Sequence, residues 1–306
     1  NVLQDENFGE MWYGNHEPNS YSNLFASKDI LNNRLDSIKL PDDYYDYIIF
    51  DEAHHIVADT YQKIIKKFKP KIFLGLTATP ERMDGQDILK YFDGTISAEI
   101  RLDTALNNNL LSPFHYYGIT DSVDLDQVQW ERGHYVVSEL SRLYTENDRR
   151  TRVVFDSLQK YLTNFNDVRA LCFCVDIKHA QYMQAKFTLG GLKSKYLTSE
   201  NANERVKLLN QLKRKEINYL FVVDMFNEGV DIPSVDTILF LRPTESLTIF
   251  LQQLGRGLRK EEGKDFVTIL DYVGHCRKEF NYMDRFRSLI GRTSMGVTEE
   301  IEKGFP

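Results

Sequence analysis

Short apolar runs alternate with helix-length amphipathic segments along most of this chain, and that alternation limits the fold more than any other feature. Residues 47–50 and 72–76 each have the composition of a buried strand, and residues 59–68 between them place their apolar side chains on one helical face. Two strands that are joined by a helix lie parallel in one sheet. The sequence therefore predicts an α/β fold.

A second series of the same kind follows residue 148 and predicts a second lobe. Its near-continuous apolar strands suit a sheet that is covered on both faces. The predicted strands are 170–175, 194–197, 219–223, 237–241 and 266–270, and the predicted helices are 153–162, 178–187, 203–213 and 246–259. Because Pro113 disfavours helix at Ser112, we expect one lobe at residues 1–111, a connector with the second lobe at 112–292, and a tail at 293–306.

Composition and charge are those of a soluble protein of the cytoplasm. Hydrophobic residues make up 42% and charged residues 27% of the 306 positions, and no apolar run approaches the ~18 residues of a membrane span. The three cysteines are too few for a disulfide framework. A formal net charge of -7 argues against binding nucleic acid through bulk electrostatics, but it allows a groove that holds phosphates through backbone amides, hydroxyls and a few lysines.

An acidic motif, Asp51-Glu52-Ala53-His54, follows directly on the strand at 47–50. Ligands of open α/β sheets lie at the carboxyl ends of the strands. Two adjacent carboxylates there can divide the work of phosphoryl transfer, one holding Mg²⁺ and the other orienting and deprotonating water. Two other interpretations stay open. Acidic residues also favour helix N-termini, and Asp51, His54 and His55 are possible zinc ligands, although adjacent histidines cannot share a helix face.

The strongest signal is Gln252-Gln253-Leu254-Gly255-Arg256-Gly257-Leu258-Arg259. Spacings of three and four place Gln252, Arg256 and Arg259 on one helical face. Two glycines inside a helix cost roughly 1 kcal/mol each, which makes sense if another backbone or a phosphate approaches closely. Two guanidinium groups suit the oxygens of a transferring phosphoryl group. An exposed basic helix would explain the arginines but not the glycines.

Two weaker motifs follow other predicted strands. Thr77-Ala78-Thr79-Pro80 ends the strand at 72–76 and should lie beside Asp51 and Glu52 at the same edge, although a capping turn is the ordinary explanation. Glu228-Gly229-Val230-Asp231-Ile232-Pro233 follows the strand at 219–223. Its glycine permits close backbone approach, and its Asp231 is a candidate acceptor for a ribose hydroxyl, with a plain turn as the alternative.

Together these motifs resemble those of superfamily 2 helicases of the DEAH type, over nearly the whole chain and in the order that the family has. The matching segments are 51–54 for motif II, 77–79 for motif III, 170–175 for motif IV, 227–231 for motif V and 252–259 for the Q-x-x-G-R-x-x-R of motif VI. Segments 77–82 and 229–233 are most similar to those of the translocase subunits of type I and type III restriction enzymes, and to bacterial helicases with extra nuclease or accessory domains. The resemblance implies two RecA-like lobes.

The resemblance also implies roles for single residues in binding and hydrolysing ATP and in moving a nucleic-acid strand. They are Asp51 (as Mg²⁺ ligand), Glu52 (as base), Arg256 and Arg259 (as arginine fingers) for catalysis; Gly229, Asp231 and Gln252 for ATP; His54, Thr77 and Thr79 for coupling; and Ser27 and Thr198 for nucleic-acid phosphates. Ser27 and Thr198 each follow a strand, where such residues are commonly just helix caps.

The implied activity is ATP-driven translocation on, or unwinding of, nucleic acid, with DNA ahead of RNA, Mg²⁺-ATP hydrolysis in a cleft between the lobes, and a role in restriction or phage defence. The alternative is a non-catalytic nucleic-acid-binding or scaffold module that keeps the fold. Many relatives have Thr where this chain has Val223, and the phosphate loop G-x-x-x-x-G-K-[ST] is absent from the 306 residues. We therefore expect a first lobe truncated at its N-terminus, in a fragment of a longer parent with possible nuclease or accessory domains. We also expect negligible turnover by the isolated chain.

Overall fold

The structure is a computed structural model, and it describes residues 7–78, 87–131, 133–223, 232–244 and 247–275. The chain forms two compact units, Asn1–Glu99 and Ile100–Pro306, whereas the sequence places the boundary at 111–112. The stretch between the two positions groups with the second unit, because Leu102 and Leu111 pack against that unit's core and the amide of Ser112 donates to the carbonyl of Leu258 at 2.7 Å.

The first unit contains two small parallel sheets and two helices within its described residues. Its elements are β1 (Glu10–Trp12), β2 (Leu24–Ala26), α1 (Lys28–Arg34), β3 (Tyr47–Phe50), α2 (Asp59–Lys67) and β4 (Ile72–Gly75). β1 pairs with β2 and β3 pairs with β4, both in parallel. α2 buries Tyr61 and Ile64, which lie three residues apart on one face, and it carries Lys66 and Lys67 in its last turn, where cations favour the negative end of a helix.

The core of the first unit lies against one face of β3 and β4. Phe50 packs against Tyr61 and Phe73, with ring centroids 5.4 and 5.1 Å apart. The opposite face of the same two strands is apolar but open to solvent, since its side chains have relative exposures between 38% and 63%. These side chains are Tyr47, Ile49, Ile72 and Leu74.

The second unit is organised around one large parallel sheet. Its strands are β5 (Phe114–Asp124), β6 (Trp130–Glu131), β7 (His134–Tyr135), β8 (Ala170–Phe173), β9 (Ser194–Leu197), β10 (Tyr219–Val222), β11 (Thr237–Phe240) and β12 (Val267–His275). Its helices are α3 (Leu102–Asn107), α4 (Val137–Thr145), α5 (Asp148–Tyr161), α6 (Ile177–Leu189), α7 (Arg205–Lys213) and α8 (Leu247–Leu258). Six strands in the described part pair in the order β5-β12-β11-β8-β10-β9, and β6 pairs with β7 antiparallel.

Alternate side chains of the central strands enter two hydrophobic clusters, one on each face of this sheet. Leu171 and Ile238 belong to the cluster that includes buried residues of α7 and α8, whereas Cys172 and Leu239 belong to the cluster that includes buried residues of α5 and α6. Helices therefore cover both faces, as the near-continuous apolar strands predict. The predicted α/β class is confirmed.

The long strand β5 is the main departure from the sequence analysis, which predicts a connector after residue 112 and no strand before the second series begins at residue 148. β5 lies at one edge of the large sheet and pairs with β12. Its Asp121 is buried and accepts a hydrogen bond from Nε of Arg150 at 2.6 Å. Arg150 also donates to the carbonyl of Leu241 at 2.9 Å and lies 3.7 Å from the ring centroid of Tyr144. This buried ion pair thus joins β5 to α5 and to the end of β11.

Within the described residues, we find no helix that has both the length and the apolar character of a membrane-crossing segment.

Candidate nucleotide-hydrolysis site

The acidic motif forms a tight turn where β3 ends, and backbone hydrogen bonds fix this turn to the end of β4. The amide of Leu76 donates to the carbonyl of Phe50, and the amide of Ala53 donates to the carbonyl of Leu76, both at 2.8 Å. Glu52 has a φ of 50°, in the left-handed region that few residues other than glycine adopt. Backbone held in such a region is often found at functional sites.

The turn brings three polar side chains from two strand ends together. Nδ1 of His54 lies 3.3 Å from Oε2 of Glu52 and 3.3 Å from Oγ1 of Thr77. His54 is buried, with 9% relative exposure, and Glu52 is half-buried. The sequence predicts Thr77 beside Glu52 at one sheet edge. In the structure, His54 lies between the two side chains and contacts both. The Glu52 carboxylate and the Thr77 hydroxyl therefore contact the same imidazole.

Asp51 is the exposed member of the motif and fits the proposed role of a metal ligand. Its Oδ1 accepts the amide of Glu52 at 3.0 Å, and its side chain is open to solvent at the carboxyl end of β3. Mg²⁺ prefers oxygen ligands and is usually held by one or two carboxylates together with substrate phosphates and water. One accessible carboxylate suits such a site. The described residues contain no group of three or more His, Cys, Asp or Glu side chains that could hold a metal ion.

A close approach of side chains sets the position of the turn. A Cβ on Gly75, the last residue of β4, would lie 2.4 Å from Cζ of Phe92 and 2.9 Å from Cβ of Ala53. Real Cβ atoms do not approach other atoms so closely. Phe92 stacks on Phe73 with centroids 5.3 Å apart. Gly75 thus allows Ala53, and with it the acidic motif, to pack directly against β4.

In the second unit, α8 presents the predicted arginine motif on its outer side. Leu254 and Leu258 are buried in the core, whereas Gln252 and Arg256 are half-buried. The helix ends at Leu258, so Arg259 is the first residue after it and is exposed. The sequence predicts a helix that includes Arg259, and a difference of one residue is common at helix ends.

The two glycines of α8 have different surroundings. A Cβ on Gly257 would lie 2.7 Å from Cδ1 of Ile238 in β11, so glycine is required for the helix to pack against the sheet. Gly255 has no heavy atom within 4 Å of its would-be Cβ, its chain neighbours and the helix's own backbone aside. The sequence predicts that a backbone or a phosphate approaches each glycine, whereas the close neighbour at Gly257 is a core side chain. Gly255 leaves space beside Arg256.

The end of α8 is held by residues that the sequence analysis did not select. Ser112 donates its amide to the carbonyl of Leu258, and the ammonium of Lys264 donates to the carbonyls of Gly257 and Arg259. Lys264 lies outside every motif that the sequence predicts to be functional. A cationic side chain a few residues after a helix is a general signal for a C-terminal cap, and that signal could have found Lys264.

The remaining predicted residues divide into two groups. Ser27 and Thr198 act as caps: Oγ of Ser27 accepts the amide of Ile30 at 3.4 Å, and buried Thr198 makes a capping box with Asn201. A nucleic-acid contact for either hydroxyl stays a prediction. Thr79, Gly229 and Asp231 lie outside the described residues.

Comparisons with known proteins agree with this arrangement of motifs. Residues 1–82 match the family model of the type III restriction enzyme, res subunit, and residues 153–261 match the helicase conserved C-terminal domain. The chain belongs to superfamily 2 of the helicases. The order of the two matches places the acidic motif in the first part of a superfamily 2 core and the arginine motif in the second.

Three relatives support the assignment to superfamily 2. A 51.5 kDa protein of a Lactococcus phage (isolate 7-9) is 31% identical over 239 residues, which cover 78% of this chain and 50% of that protein. A Saccharomyces cerevisiae protein described as the ATP-dependent helicase IRC3 is 30% identical over 234 residues, which cover 74% and 34%. The fragment structure of a protein described as an HsdR subunit of a type I restriction enzyme from Vibrio vulnificus YJ016 has a TM-score of 0.68 at 25% identity, covering 86% of this chain and 50% of that one.

The likeness in fold to the HsdR fragment confirms the predicted RecA-like architecture of this superfamily 2 chain. The chain spans half the length of the phage protein and of the HsdR fragment, and about a third of the yeast helicase.

Proposed function

We propose that this superfamily 2 chain carries the hydrolytic and strand-moving parts of an ATP-dependent helicase or translocase that acts on DNA. The observation that carries the proposal is the arrangement at the ends of β3 and β4. There Asp51 is open to solvent, and His54 lies 3.3 Å from both Glu52 and Thr77. A carboxylate that can hold a metal, a second that can act as base, and a linked imidazole and hydroxyl are what hydrolysis coupled to movement requires.

The first unit supplies the groups that prepare the attack of water. Asp51 holds Mg²⁺, which when bound neutralises phosphate charge and orients the phosphates. Glu52 orients and deprotonates the water. Nδ1 of His54 contacts both the Glu52 carboxylate and the Thr77 hydroxyl, so a change at Glu52 alters the position of Thr77. Thr77 and Thr79 then couple ATP hydrolysis to movement of the nucleic-acid strand.

The second unit supplies the groups that stabilise charge in the transition state. Arg256 and Arg259 contact the phosphoryl oxygens of the transferring group, where a planar guanidinium offers paired donors that lysine lacks. Gln252, one turn before Arg256 on the same side of α8, contacts the nucleotide. Gly229 and Asp231 are the residues that we assign to the γ-phosphate and the ribose, on the resemblance of their motif alone.

DNA is the proposed substrate because the chain matches a restriction-enzyme family model and is similar to a type I restriction subunit, and restriction enzymes act on DNA. A role in restriction or phage defence, in a longer parent with nuclease or accessory domains, rests on the same likeness. With a net charge of -7, the grip on phosphates depends on local hydroxyls and amides. The proposed hydroxyls are those of Ser27 and Thr198.

The 306-residue chain by itself is proposed to have negligible turnover. Its sequence has no G-x-x-x-x-G-K-[ST] loop, and such a loop supplies the lysine and the backbone amides that hold the β- and γ-phosphates. The activity is therefore tested in the full-length parent, with the isolated chain as the negative control.

The test uses Glu52→Gln and Arg259→Lys in the full-length parent. Glu52→Gln keeps the shape of the side chain and removes the base, so DNA-stimulated phosphate release should fall at least ~10²-fold while Mg²⁺-ATP binding survives. Arg259→Lys keeps the charge and loses the fork, so release should fall about 10³-fold or more while nucleotide-free DNA binding stays nearly unchanged. Duplex RNA should stimulate release less than DNA of the same sequence.

Two exposed positions provide matched controls. Glu17→Gln in the first unit and Arg214→Lys in the second make the same chemical changes at side chains that are 65% and 74% exposed, and both should leave phosphate release unchanged. Normal turnover in both Glu52→Gln and Arg259→Lys would contradict the hydrolytic assignment and would favour a scaffold module. Turnover by the isolated chain near ~1 per second would contradict the need for the loop.

A further inference from the structure

The structure shows which groups donate hydrogen bonds to the last carbonyls of α8. The final four carbonyls of any helix have no partner inside the helix. At the end of α8, the carbonyl of Leu258 accepts the amide of Ser112 at 2.7 Å. The carbonyl of Gly257 accepts Nζ of Lys264 at 2.8 Å, and the carbonyl of Arg259 accepts the same ammonium group and the hydroxyl of Ser112.

Lys264 has a third partner in a different segment. Its Nζ donates to the carbonyl of Pro233 at 2.5 Å. An ammonium group has three donors, so the three carbonyls use all of them. Pro233 follows Asp231 by two positions in the sequence and leads into β11. One half-buried side chain therefore joins the C-terminal end of the arginine helix to the chain that leaves motif V.

The surroundings of Lys264 explain why its charge is tolerated there. A cation stabilises the negative end of a helix dipole. Burial lowers the pKa of Lys264, and the carboxylates of Glu261 and Asp236 act in the opposite direction, with Arg169 adding to the lowering. The three carbonyl oxygens replace water around the ammonium, which offsets the cost of partial burial.

We propose that Lys264 is a positioning residue for Arg256 and Arg259, which it serves by fixing the last turn of α8 to the chain after motif V. The inference rests on the proposed function, because the two arginines are its target. Arg256 lies one residue before Gly257, and Arg259 carries one of the contacted carbonyls itself. Loosening this end of the helix by about 1 Å would misplace both guanidinium groups, an error that commonly costs about 10²-fold in rate.

The test is Lys264→Met in the full-length parent, with Lys260→Met as the matched control. Lys260 is exposed and its Nζ contacts only the surface side chain of Asn109 among the hydrogen bonds described for it, at 3.1 Å. We expect Lys264→Met to lower kcat by about 10- to 100-fold with KM for ATP changed less than about 3-fold. Backbone amides at residues 256–259 should exchange hydrogen at least ~10-fold faster. Lys260→Met should change neither quantity. Lys264→Arg should keep more activity than Lys264→Met but less than the wild type. The planar guanidinium group cannot donate to three converging carbonyls at once.

A combined variant separates this inference from the proposed function. If Lys264 acts through the arginines, Lys264→Met should reduce kcat little further in a background that carries both Arg256→Lys and Arg259→Lys. An equal further reduction there, or an unchanged kcat in folded Lys264→Met alone, would overturn the positioning role while Arg259→Lys still reports on the arginine finger. If Lys264→Met does not fold, Lys264→Gln, which retains two donors, gives the same comparison, and a kcat equal to that of the wild type would overturn the inference.

Discussion

The central strands of the second unit are buried along their whole length, whereas in β3 and β4 of the first unit exposed positions alternate with half-buried ones, and only Phe50 is buried. Every residue of β8, β10 and β11 is buried. In β3 and β4, the residues that face away from the core have relative exposures between 38% and 63%. Yet residues 47–50 are as apolar as residues 237–240, which the sequence alone cannot distinguish.

This difference shows that an apolar run reports which faces a strand can bury and does not report which faces are covered. Strands with apolar side chains on both faces are typical of parallel sheets with helices on both sides. In the second unit, helices α5 and α6 cover one face and α7 and α8 the other. In the first unit, α2 contributes to a core on one face of β3 and β4. Truncating the same apolar side chain should therefore lower the free energy of unfolding by different amounts in the two units.

The largest expected effect comes from truncating the same side chain on the two sheets. Ile238→Ala removes a fully buried side chain from β11 and should lower the free energy of unfolding by about 2–5 kcal/mol. Ile49→Ala on β3, where Ile49 is 59% exposed, should lower it by less than about 1 kcal/mol. Urea unfolding of the isolated chain measures both changes.

The chain offers one tryptophan reporter in each unit. Trp12 lies in the core of the first unit, and Trp130 packs against Tyr135 in the second with ring centroids 4.7 Å apart. Ile238→Ala is followed through Trp130 in a Trp12→Phe background, and Ile49→Ala through Trp12 in a Trp130→Phe background. A loss at Ile49 as large as that at Ile238 would mean that the open face of β3 and β4 is covered in solution.

The next expected effect concerns the packing of α8 on the large sheet. Gly257→Ala would place a methyl group 2.7 Å from Cδ1 of Ile238, which is fully buried and cannot move into solvent. Overpacking of this kind costs about 1–3 kcal/mol, and the gain in helix propensity offsets up to about 1 kcal/mol of it. Ile238→Val removes Cδ1, so the Gly257→Ala, Ile238→Val double variant should be more stable than the sum of the single changes predicts. Strict additivity would show that the helix shifts to make room.

Much of the second unit is predictable from sequence because its central strands are nearly continuous apolar runs. The predicted strands at 219–223 and 237–241 differ by one residue from β10 and β11. β5 was missed because it mixes aromatic, small and polar residues without a clear strand period, and because the acidic stretch that begins at Asp121 is typical of a solvated loop. Only its tertiary partner, Arg150 at 2.6 Å, makes burial of that carboxylate acceptable.

The candidate site was predictable in its residues but not in its contacts. Position at the end of a strand selects Glu52 and Thr77, since strand ends of a parallel sheet share one edge. The sequence does not give the left-handed conformation of Glu52 or the 3.3 Å contact of His54 with both side chains. Nor does it give the three carbonyls around Lys264, because they come from segments that only the fold brings together.

The smallest expected effect on stability is that of Gly255→Ala, which differs from Gly257→Ala by two positions on the same helix. A methyl group at residue 255 meets no heavy atom within 4 Å beyond its own helix and chain neighbours. Alanine in a helix is favoured over glycine by roughly 0.5–1 kcal/mol, chiefly because glycine loses more conformational freedom on folding. The isolated chain should therefore gain up to about that amount in urea unfolding, whereas Gly257→Ala loses stability.

The same Gly255→Ala variant in the full-length parent separates packing from function. The space beside Arg256 is where the sequence analysis expects a phosphate or a backbone to approach, so a methyl group there should reduce phosphate release even though the fold gains stability. This opposite change in stability and rate is a trade-off often found at functional sites. A variant that is both more stable and fully active would show that Gly255 serves no close approach, and would leave the glycine without a physical explanation.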